Sequence, residues 1–291
     1  MTNITGIALS VGFMAVLGSV LASILVLANK RLFVYEDPRI DDVEDLLPRA
    51  NCGACGSPGC RPFAEGLIDG TYEPAQCTVN SKETNKLIAD YLGVDLGVQD
   101  KRVARLACAG GSHVAFIRAS YSGMNSCRAA ALVSGGGKGC SWGCLGMGDC
   151  AIVCDFDAIS MNKYGLPVVD EDLCTACNDC VEVCPKDLFE LHSINEQLFV
   201  ACKNLEKGEE AENECEVICT ACERCAVDSP EGLIEIRNNL AVIDYSKNGL
   251  ASRVAIERCP TGAIVWFDKQ GGYQVGKEAK KIIRKEMLPI G

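Results

Sequence analysis

The sequence lacks a nucleotide-binding motif. The stretch 135–139 is rich in glycine and includes Lys138, which invites comparison with a phosphate-binding loop. Gly139 and Cys140 then stand where such a loop has serine or threonine. No G-x-G-x-x-G lies between a predicted strand and a predicted helix either. These absences exclude a nucleotide site in this chain, and the glycine-rich stretch is interpreted as a hinge.

Charge is missing from residues 4–28, a stretch long enough to span a bilayer, which needs roughly 20 apolar residues. A cleaved signal peptide is the alternative, but the positively charged start of such a peptide is absent. Lys30 and Arg31 follow the apolar stretch and predict an N-terminus outside the cell, with everything after residue 30 in the cytoplasm. The segment carries no ionisable side chain, so this helix alone cannot form an ion pathway.

Small residues recur on one face of this predicted helix, at intervals of three and four. Because helices in a membrane associate through close packing, such a stripe predicts contact with a partner helix. Its members are Ala8, Gly12, Ala15, Ser19 and Ala22.

Histidine is scarce, with two in 291 residues, and the formal net charge is −11. His113 and His192 are interpreted as hydrogen-bonded histidines, although His113 lies close enough to Cys108 in sequence to be a ligand. The acidic balance argues against a nucleic-acid partner. Two basic groups are candidates for docking an acidic electron carrier or anionic lipid, or are simply solvated faces. They are Lys101, Arg102 and Arg105, and then Lys280, Lys281, Arg284 and Lys285.

Cysteine, in contrast, is abundant, with 20 residues. The clearest motif is the C-x2-C-x2-C-x3-C-P run from Cys174 to Pro185, which is typical of ferredoxins and binds [4Fe–4S] cubes. A disulfide framework is the alternative, but repeated pairs of cysteines separated by two residues suit metal clusters better. The pattern therefore predicts an electron-transfer protein in a reducing compartment.

A separate group of four cysteines precedes this run. Cys52, Cys55 and Cys60 lie among glycines, which permit a tight loop with free amides, and Cys77 follows a predicted helix through Phe63 and Leu67. We expect these cysteines to bind one [4Fe–4S] cube, and a four-cysteine zinc site is the alternative.

An internal repeat extends from residue 139 to the end, since each cysteine run precedes a short apolar strand. The predicted strands cover residues 157–159, 188–191, 232–236 and 262–266. Paired units of this kind resemble the two-cluster bacterial ferredoxin fold. The predicted fold class is α+β, and the predicted regions follow in order. They are a transmembrane anchor (1–30), a four-cysteine Fe–S domain (31–90), a connecting region (91–138), a two-cluster ferredoxin-like domain (139–200) and a second ferredoxin-like domain that has lost one cluster (201–291).

The ferredoxin rule of cross-ligation assigns the ligands of the first pair. One cube takes Cys174, Cys177 and Cys180, completed by Cys154. In the other run Met147 occupies the place of the middle cysteine, so Cys140 is expected to replace it. That cube is assigned Cys140, Cys144, Cys150 and Cys184.

The second pair retains one cube, because Ser229 and the stretch 244–258 lack the cysteines of its partner. The retained set is Cys219, Cys222, Cys225 and Cys259. Four cysteines remain, either as the ligands of a fifth cube or as buried free thiols. They are Cys108, Cys127, Cys202 and Cys215.

With its anchor, its Asn51–Cys77 unit and its ferredoxin repeat containing the Cys144–Cys150 run, the chain resembles the long form of the B subunit of Rnf complexes. These complexes are membrane-bound, ion-translocating ferredoxin:NAD oxidoreductases. The resemblance implies an electron-transfer subunit with four or five [4Fe–4S] clusters and no substrate-converting site of its own. It also implies soluble ferredoxin as the donor, membrane subunits as partners, and a single-pass location in the inner membrane.

Three other classes remain open. They are a polyferredoxin subunit of another membrane oxidoreductase, a reductive activator of a corrinoid enzyme, and an iron–sulfur redox sensor. The missing ATP site and the anchor count against an activator, and the number of clusters exceeds what a sensor requires.

Overall fold

The computed structural model describes residues 2–32, 37–98, 100–268 and 272–280. Helix α1 spans Thr2–Leu32, and Gly6–Leu32 is a candidate membrane span with a mean hydropathy of 2.5 and no buried part. The hydroxyls of Ser10, Ser19 and Ser23 donate to carbonyls four residues earlier. These bonds give each of the three hydroxyl groups a partner within the helix, as a polar group in an apolar environment requires.

The first cysteine-rich unit is helical. Helices α2 (Arg39–Leu46), α3 (Cys60–Ile68) and α4 (Lys82–Leu92) pack with a short 3₁₀ turn (Pro74–Gln76) around a core that includes Phe63 and Leu67. The helix predicted through these two residues is therefore confirmed. At the start of α4 the Ser81 hydroxyl accepts a hydrogen bond from the Thr84 amide and caps the helix.

Short helices and strands alternate through the rest of the chain. The further helices are α5 (Cys127–Leu132), α6 (Asp149–Ile152), α7 (Asp179–Val183), α8 (Gly208–Glu214), α9 (Arg224–Val227) and α10 (Val254–Glu257), with 3₁₀ turns at Ser134–Gly137 and Tyr245–Leu250. The strands are β1 (Arg102–Leu106), β2 (Ile159–Met161), β3 (Pro167–Val169), β4 (Phe189–Ser193), β5 (Leu198–Val200), β6 (Ile234–Arg237), β7 (Leu240–Ile243), β8 (Ile264–Phe267) and β9 (Tyr273–Gln274).

All strand pairs among the described residues are antiparallel. Strand β1 pairs with β4, β2 with β3 and β6 with β7, while β5, β8 and β9 form a three-stranded sheet. Each of the four predicted apolar strands has a counterpart, displaced by one or two residues toward the C-terminus. The mixture of small sheets and short helices confirms the predicted α+β class.

Strand pairing runs across two of the predicted boundaries. Strand β1, from the predicted connecting region, pairs with β4, and β5 pairs with β8 near the end of the chain. In the glycine-rich stretch, the Gly137 carbonyl accepts hydrogen bonds from the amides of Arg118 and Ala119, and a hinge there stays a prediction. Strand β1 is joined to the ferredoxin-like unit through its pairing with β4.

The first basic group is not a solvated helix face. Arg105 lies in strand β1, is 3% exposed, and forms an ion pair with Glu171 at 2.9 Å. Its guanidinium also covers the Phe267 ring at 3.7 Å. The prediction that Arg105 contributes to a docking surface is therefore wrong, because its charge is buried. Of the second group, Lys281, Arg284 and Lys285 lie outside the described residues.

Candidate iron–sulfur centres

Cys52, Cys55, Cys60 and Cys77 line one cavity of about 310 Å³ in the N-terminal unit. Left-handed backbone at Gly53 (φ 72°) and Gly56 (φ 87°) curves the loop that carries the first three cysteines. The Asn51 side chain accepts a hydrogen bond from the Cys60 amide at 2.8 Å and fixes the start of α3. The structure therefore brings together the four cysteines that the sequence grouped here.

Cys154, Cys174, Cys177 and Cys180 line a second cavity, of about 340 Å³. The loop between Cys174 and Cys180 has left-handed backbone at Ala176 and Asn178, and the Ala104 amide of β1 donates to the Cys174 sulfur at 3.4 Å. Burial, with a smaller contribution from the neighbouring thiols, raises the pKa of Cys180 to about 12. A nearby positive charge would favour the thiolate in such a place, and the iron of a bound cluster would supply that charge.

Cys219, Cys222, Cys225 and Cys259 line a third cavity, of about 360 Å³. Their loop repeats the previous one, with left-handed backbone at Ala221 and Glu223. Ser229, which stands where a fourth cysteine would lie in the full motif, donates its hydroxyl to the Cys225 carbonyl at 2.7 Å. The grouping again matches the sequence assignment.

Cys140 lies apart from its predicted group. Its side chain lines a fourth cavity, of about 320 Å³, with Cys108, Cys202 and Cys215. The Asn204 side-chain amide donates to the Cys140 sulfur at 3.4 Å, and the Cys219 amide donates to the Cys202 sulfur at 3.4 Å. This arrangement differs from the predicted set of Cys140, Cys144, Cys150 and Cys184.

The fourth quartet consists of two pairs with similar sequence positions, Cys108 with Cys202 and Cys140 with Cys215. Cys108 and Cys202 each follow an alanine just after a strand, β1 and β5 respectively. Cys140 and Cys215 each lie four residues before the first cysteine of a ferredoxin run. An Ala-Cys pair after each strand is a sequence signal from which this quartet could have been found.

Cys127 lies beside Cys150, in the region that the sequence had assigned to Cys140. The Ser126 hydroxyl and the Arg128 amide both bond to the Asp149 carboxylate, at 2.9 and 3.3 Å, and so hold the start of α5 against α6. Burial, with a smaller contribution from the nearby thiols of Cys127 and Cys184, raises the pKa of Cys150 to about 11. Cys144 lies near both Cys108 and Cys150, between this group and the fourth cavity.

Met147 does stand where the middle cysteine of the run would be. Gly146 and Gly148 have the left-handed backbone that Ala176 and Asn178 have in the intact run, so the two loops follow the same path. Near this position the structure places a cysteine of the preceding helix, Cys127, beside Cys150. The sequence did not assign Cys127 to this group, because it is 17 residues away from Cys144.

These arrangements fit polynuclear cubes better than zinc. All twenty cysteines are free thiols, which leaves no disulfide framework. In the part of the chain that the structure describes, no three histidine, cysteine or acidic side chains converge on one point closely enough to hold a single metal ion. The four thiols of each lined cavity instead surround it, and a [4Fe–4S] cube in that place would supply one-electron chemistry.

The two histidines have ordinary polar or aromatic partners. His192 is 6% exposed and lies 2.8 Å from Glu196 and 3.2 Å from Glu190 through its two ring nitrogens. His113 stacks on Tyr164, with ring centroids 3.8 Å apart, and burial lowers its pKa. The interpretation of His192 as a hydrogen-bonded histidine is confirmed.

Together, the fold and the cysteine quartets define an iron–sulfur electron-transfer protein with several clusters. Two family models match the chain, one for an Fe-S cluster (residues 47–79) and one for a 4Fe-4S dicluster domain (residues 141–191).

Among curated proteins, the chain is 40% identical to the B subunit of the Na(+)-translocating ferredoxin:NAD(+) oxidoreductase complex of Acetobacterium woodii, over 96% of this chain and 82% of the relative. It is 36% identical to the B subunit of the proton-translocating ferredoxin:NAD(+) oxidoreductase complex of Clostridium ljungdahlii, over 86% of this chain and 89% of that protein. It is also 36% identical to the B subunit of the ion-translocating oxidoreductase complex of Methanosarcina acetivorans, over 88% and 96% of the two chains. The chain belongs to the family of B subunits of the ion-translocating Rnf complexes.

Proposed function

We propose that this chain is the electron-transfer subunit of a membrane-bound ferredoxin:NAD oxidoreductase, and that it holds five [4Fe–4S] clusters. The family supports the complex. The cluster number rests on four cavities that are each lined by four cysteines, and on the proximity of Cys150 to Cys127, Cys144 and Cys184 among the four cysteines that remain. The proposed sets are Cys52, Cys55, Cys60 and Cys77; Cys154, Cys174, Cys177 and Cys180; Cys127, Cys144, Cys150 and Cys184; Cys108, Cys140, Cys202 and Cys215; and Cys219, Cys222, Cys225 and Cys259.

Direct contacts support a linear order of these sets. The Thr78 hydroxyl, next to Cys77, donates to the Thr175 carbonyl at 2.6 Å and so joins the first set to the second. Cys150 and Cys154 are four residues apart in sequence and both lie near the Cys180 thiol, which joins the second set to the third.

Two amide–sulfur hydrogen bonds continue the series. The Cys144 amide donates to the Cys108 sulfur at 3.4 Å, which joins the third set to the fourth. The Cys219 amide donates to the Cys202 sulfur, which joins the fourth to the fifth. Each site therefore touches the next, as transfer of electrons over short distances requires.

The two ends of this series differ in ways that suit two kinds of partner. Cys222, in the last set, is exposed, so a soluble carrier such as reduced ferredoxin can approach there. The first set follows the candidate membrane helix closely in sequence and is the end nearer to membrane subunits. The small-residue stripe of α1 would contact those subunits, with the N-terminus outside and the Fe–S units in the cytoplasm.

The coupling ion remains a property of the whole complex. One relative is named for Na⁺ translocation and another for proton translocation. The candidate span Gly6–Leu32 has no ionisable group between Gly6 and Asn29, so this helix alone does not form an ion pathway.

Iron content tests the ligand sets on the full chain, purified anaerobically in detergent. The wild-type chain should contain about 20 irons, at four per cube. Cys140→Ala and Cys215→Ala should each lose about four irons, and the double variant should lose no more than either, because both thiols serve one cube. Combining Cys140→Ala with Cys144→Ala should remove about eight.

The opposite pattern of iron loss would contradict the assignment of Cys140 to the fourth set. If the Cys140→Ala/Cys144→Ala variant lost only about four irons while the Cys140→Ala/Cys215→Ala variant lost about eight, the set predicted from sequence would be correct. Separately, co-purification with a flavin subunit and an NADH-oxidising subunit, followed by ferredoxin-dependent reduction of NAD, tests the assignment to this complex. A chain that carries its iron without those subunits would belong to another oxidoreductase.

A further inference from the structure

Lys138 lies in the glycine-rich stretch 135–139 and has no role in the proposed function described above. Its ammonium donates to the Cys144 carbonyl at 2.7 Å and to the Gly110 carbonyl. Cys144 belongs to the third cysteine set, and Gly110 lies two residues from Cys108 of the fourth. Lys138 also lines the cavity of the fourth set. The positive charge is therefore held between two neighbouring sets of cluster ligands.

Among the described residues, no carboxylate forms an ion pair with the Lys138 ammonium, and its hydrogen-bond partners are the two carbonyls. The side chain is only partly exposed. A half-buried charge is screened less by water and salt than a charge on the surface, so its field extends into the adjacent cavity.

The backbone around Lys138 is built to hold it. Ile117 and Lys138 form an antiparallel bridge, and the Gly137 carbonyl accepts hydrogen bonds from Arg118 and Ala119. A Cβ atom at Gly143 would lie 2.9 Å from Lys138 Cε, so the absence of a side chain at Gly143 leaves room for the lysine stem. The glycines thus allow an inward-facing lysine between two loops.

We propose that Lys138 raises the reduction potential of the cube held by Cys108, Cys140, Cys202 and Cys215. This inference rests on the proposed function, because it assumes that these cysteines hold a cluster. An all-cysteine cube becomes more negative when it is reduced. A fixed positive charge nearby stabilises the reduced state, and charge is one of the main factors that set such potentials. Lys138 acts here through the field at the cluster and is not itself a ligand.

The experiment compares Lys138→Gln with Lys138→Arg in the full chain, purified anaerobically. Glutamine retains an amide donor for the two carbonyls without the charge, whereas arginine retains the charge. Reductive titration followed by EPR gives the midpoint potential of each component. The component that disappears in Cys215→Ala identifies the fourth cube. We expect that component to move to lower potential in Lys138→Gln, to stay near its wild-type value in Lys138→Arg, and the most distant components to be unchanged in both.

Two results would overturn the inference. Equal potentials in the two variants, with full iron in both, would mean that the charge does not act on the cluster. Loss of about four irons in Lys138→Gln but not in Lys138→Arg would mean that the lysine holds the loops together, at four irons per cube. If the wild-type chain itself lacked a component sensitive to Cys215→Ala, the failure would lie in the proposed ligand set, and the iron counts described above would show the same defect independently.

Discussion

The hydroxyl of Thr78 donates a hydrogen bond of 2.6 Å to the main-chain carbonyl of Thr175. Each threonine directly follows a cysteine of a cluster set, Cys77 in the N-terminal unit and Cys174 in the first ferredoxin-like unit. The two units are separated by almost a hundred residues in sequence, yet their ligand loops touch. In the proposed arrangement, this contact holds the first and second cysteine sets next to each other.

Replacing Thr78 by valine removes this bond with little change in side-chain volume. A hydrogen bond contributes about 1 kcal/mol net, which corresponds to a factor of about five in a docking equilibrium. We expect ferredoxin-dependent NAD reduction by the complex to fall by at most about that factor, while iron per chain stays constant. Thr84→Val is the matched control, because the Thr84 hydroxyl bonds to Ser81 within one unit. An unchanged rate in Thr78→Val would show that the units stay docked without this bond.

The buried ion pair of Arg105 and Glu171 is expected to stabilise the fold. Removing one partner leaves an unpaired charge in an apolar place, and such changes cost about 3–5 kcal/mol. Arg105→Met and Glu171→Gln should therefore lower the free energy of unfolding strongly, measured by anaerobic guanidinium denaturation. Arg237→Met, which removes one partner of the exposed pair with Glu235, is the control and should cost less than about 1 kcal/mol. An effect of Arg105→Met no larger than this control would contradict the structural assignment.

The small-residue stripe on α1 makes a prediction about assembly. Ala15→Leu places a bulky side chain within the stripe and should prevent close approach of a partner helix, so less of the chain should co-purify with the membrane subunits. Ser10→Leu, on the opposite face, should leave co-purification unchanged. Iron per chain should be unaffected in both, since the helix lies outside the cysteine sets. Equal recovery of the complex with both variants would show that partners do not use this face.

The sequence predicted the local parts of the sites well. In the set completed by Cys259, three cysteines come from one short run and the fourth is remote. Spacing alone was sufficient to group these four cysteines. The same is true of helix α3 and of the apolar strands, because the pattern of their apolar residues indicates which side chains are buried. These features depend on neighbours within a few residues, so a linear pattern contains them.

The ligand assignments made from the sequence differ from the structure where a set is completed by a cysteine that is far away in sequence and lies outside a run. Cys140 and Cys127 exchanged places between their predicted and observed groups, because both are single cysteines outside a run and either could reach the gap left by Met147. Their sorting depends on the docking of β1 against β4 and of α5 against α6. Arg105 was misjudged for the same reason, since its burial follows from Glu171 and Phe267, far away in sequence.

The fourth cysteine set has a consequence for how the protein is made. In the proposed sets, the last ligand to leave the ribosome is Cys77, then Cys180, Cys184, Cys215 and finally Cys259. This order of completion during synthesis is the same as the order in which the sites touch in the folded chain. Cys108 is nevertheless synthesised more than a hundred residues before Cys215, the last cysteine of its proposed set. Along the chain, the proposed sets are therefore completed one after another, each next to a set whose cysteines are already all present.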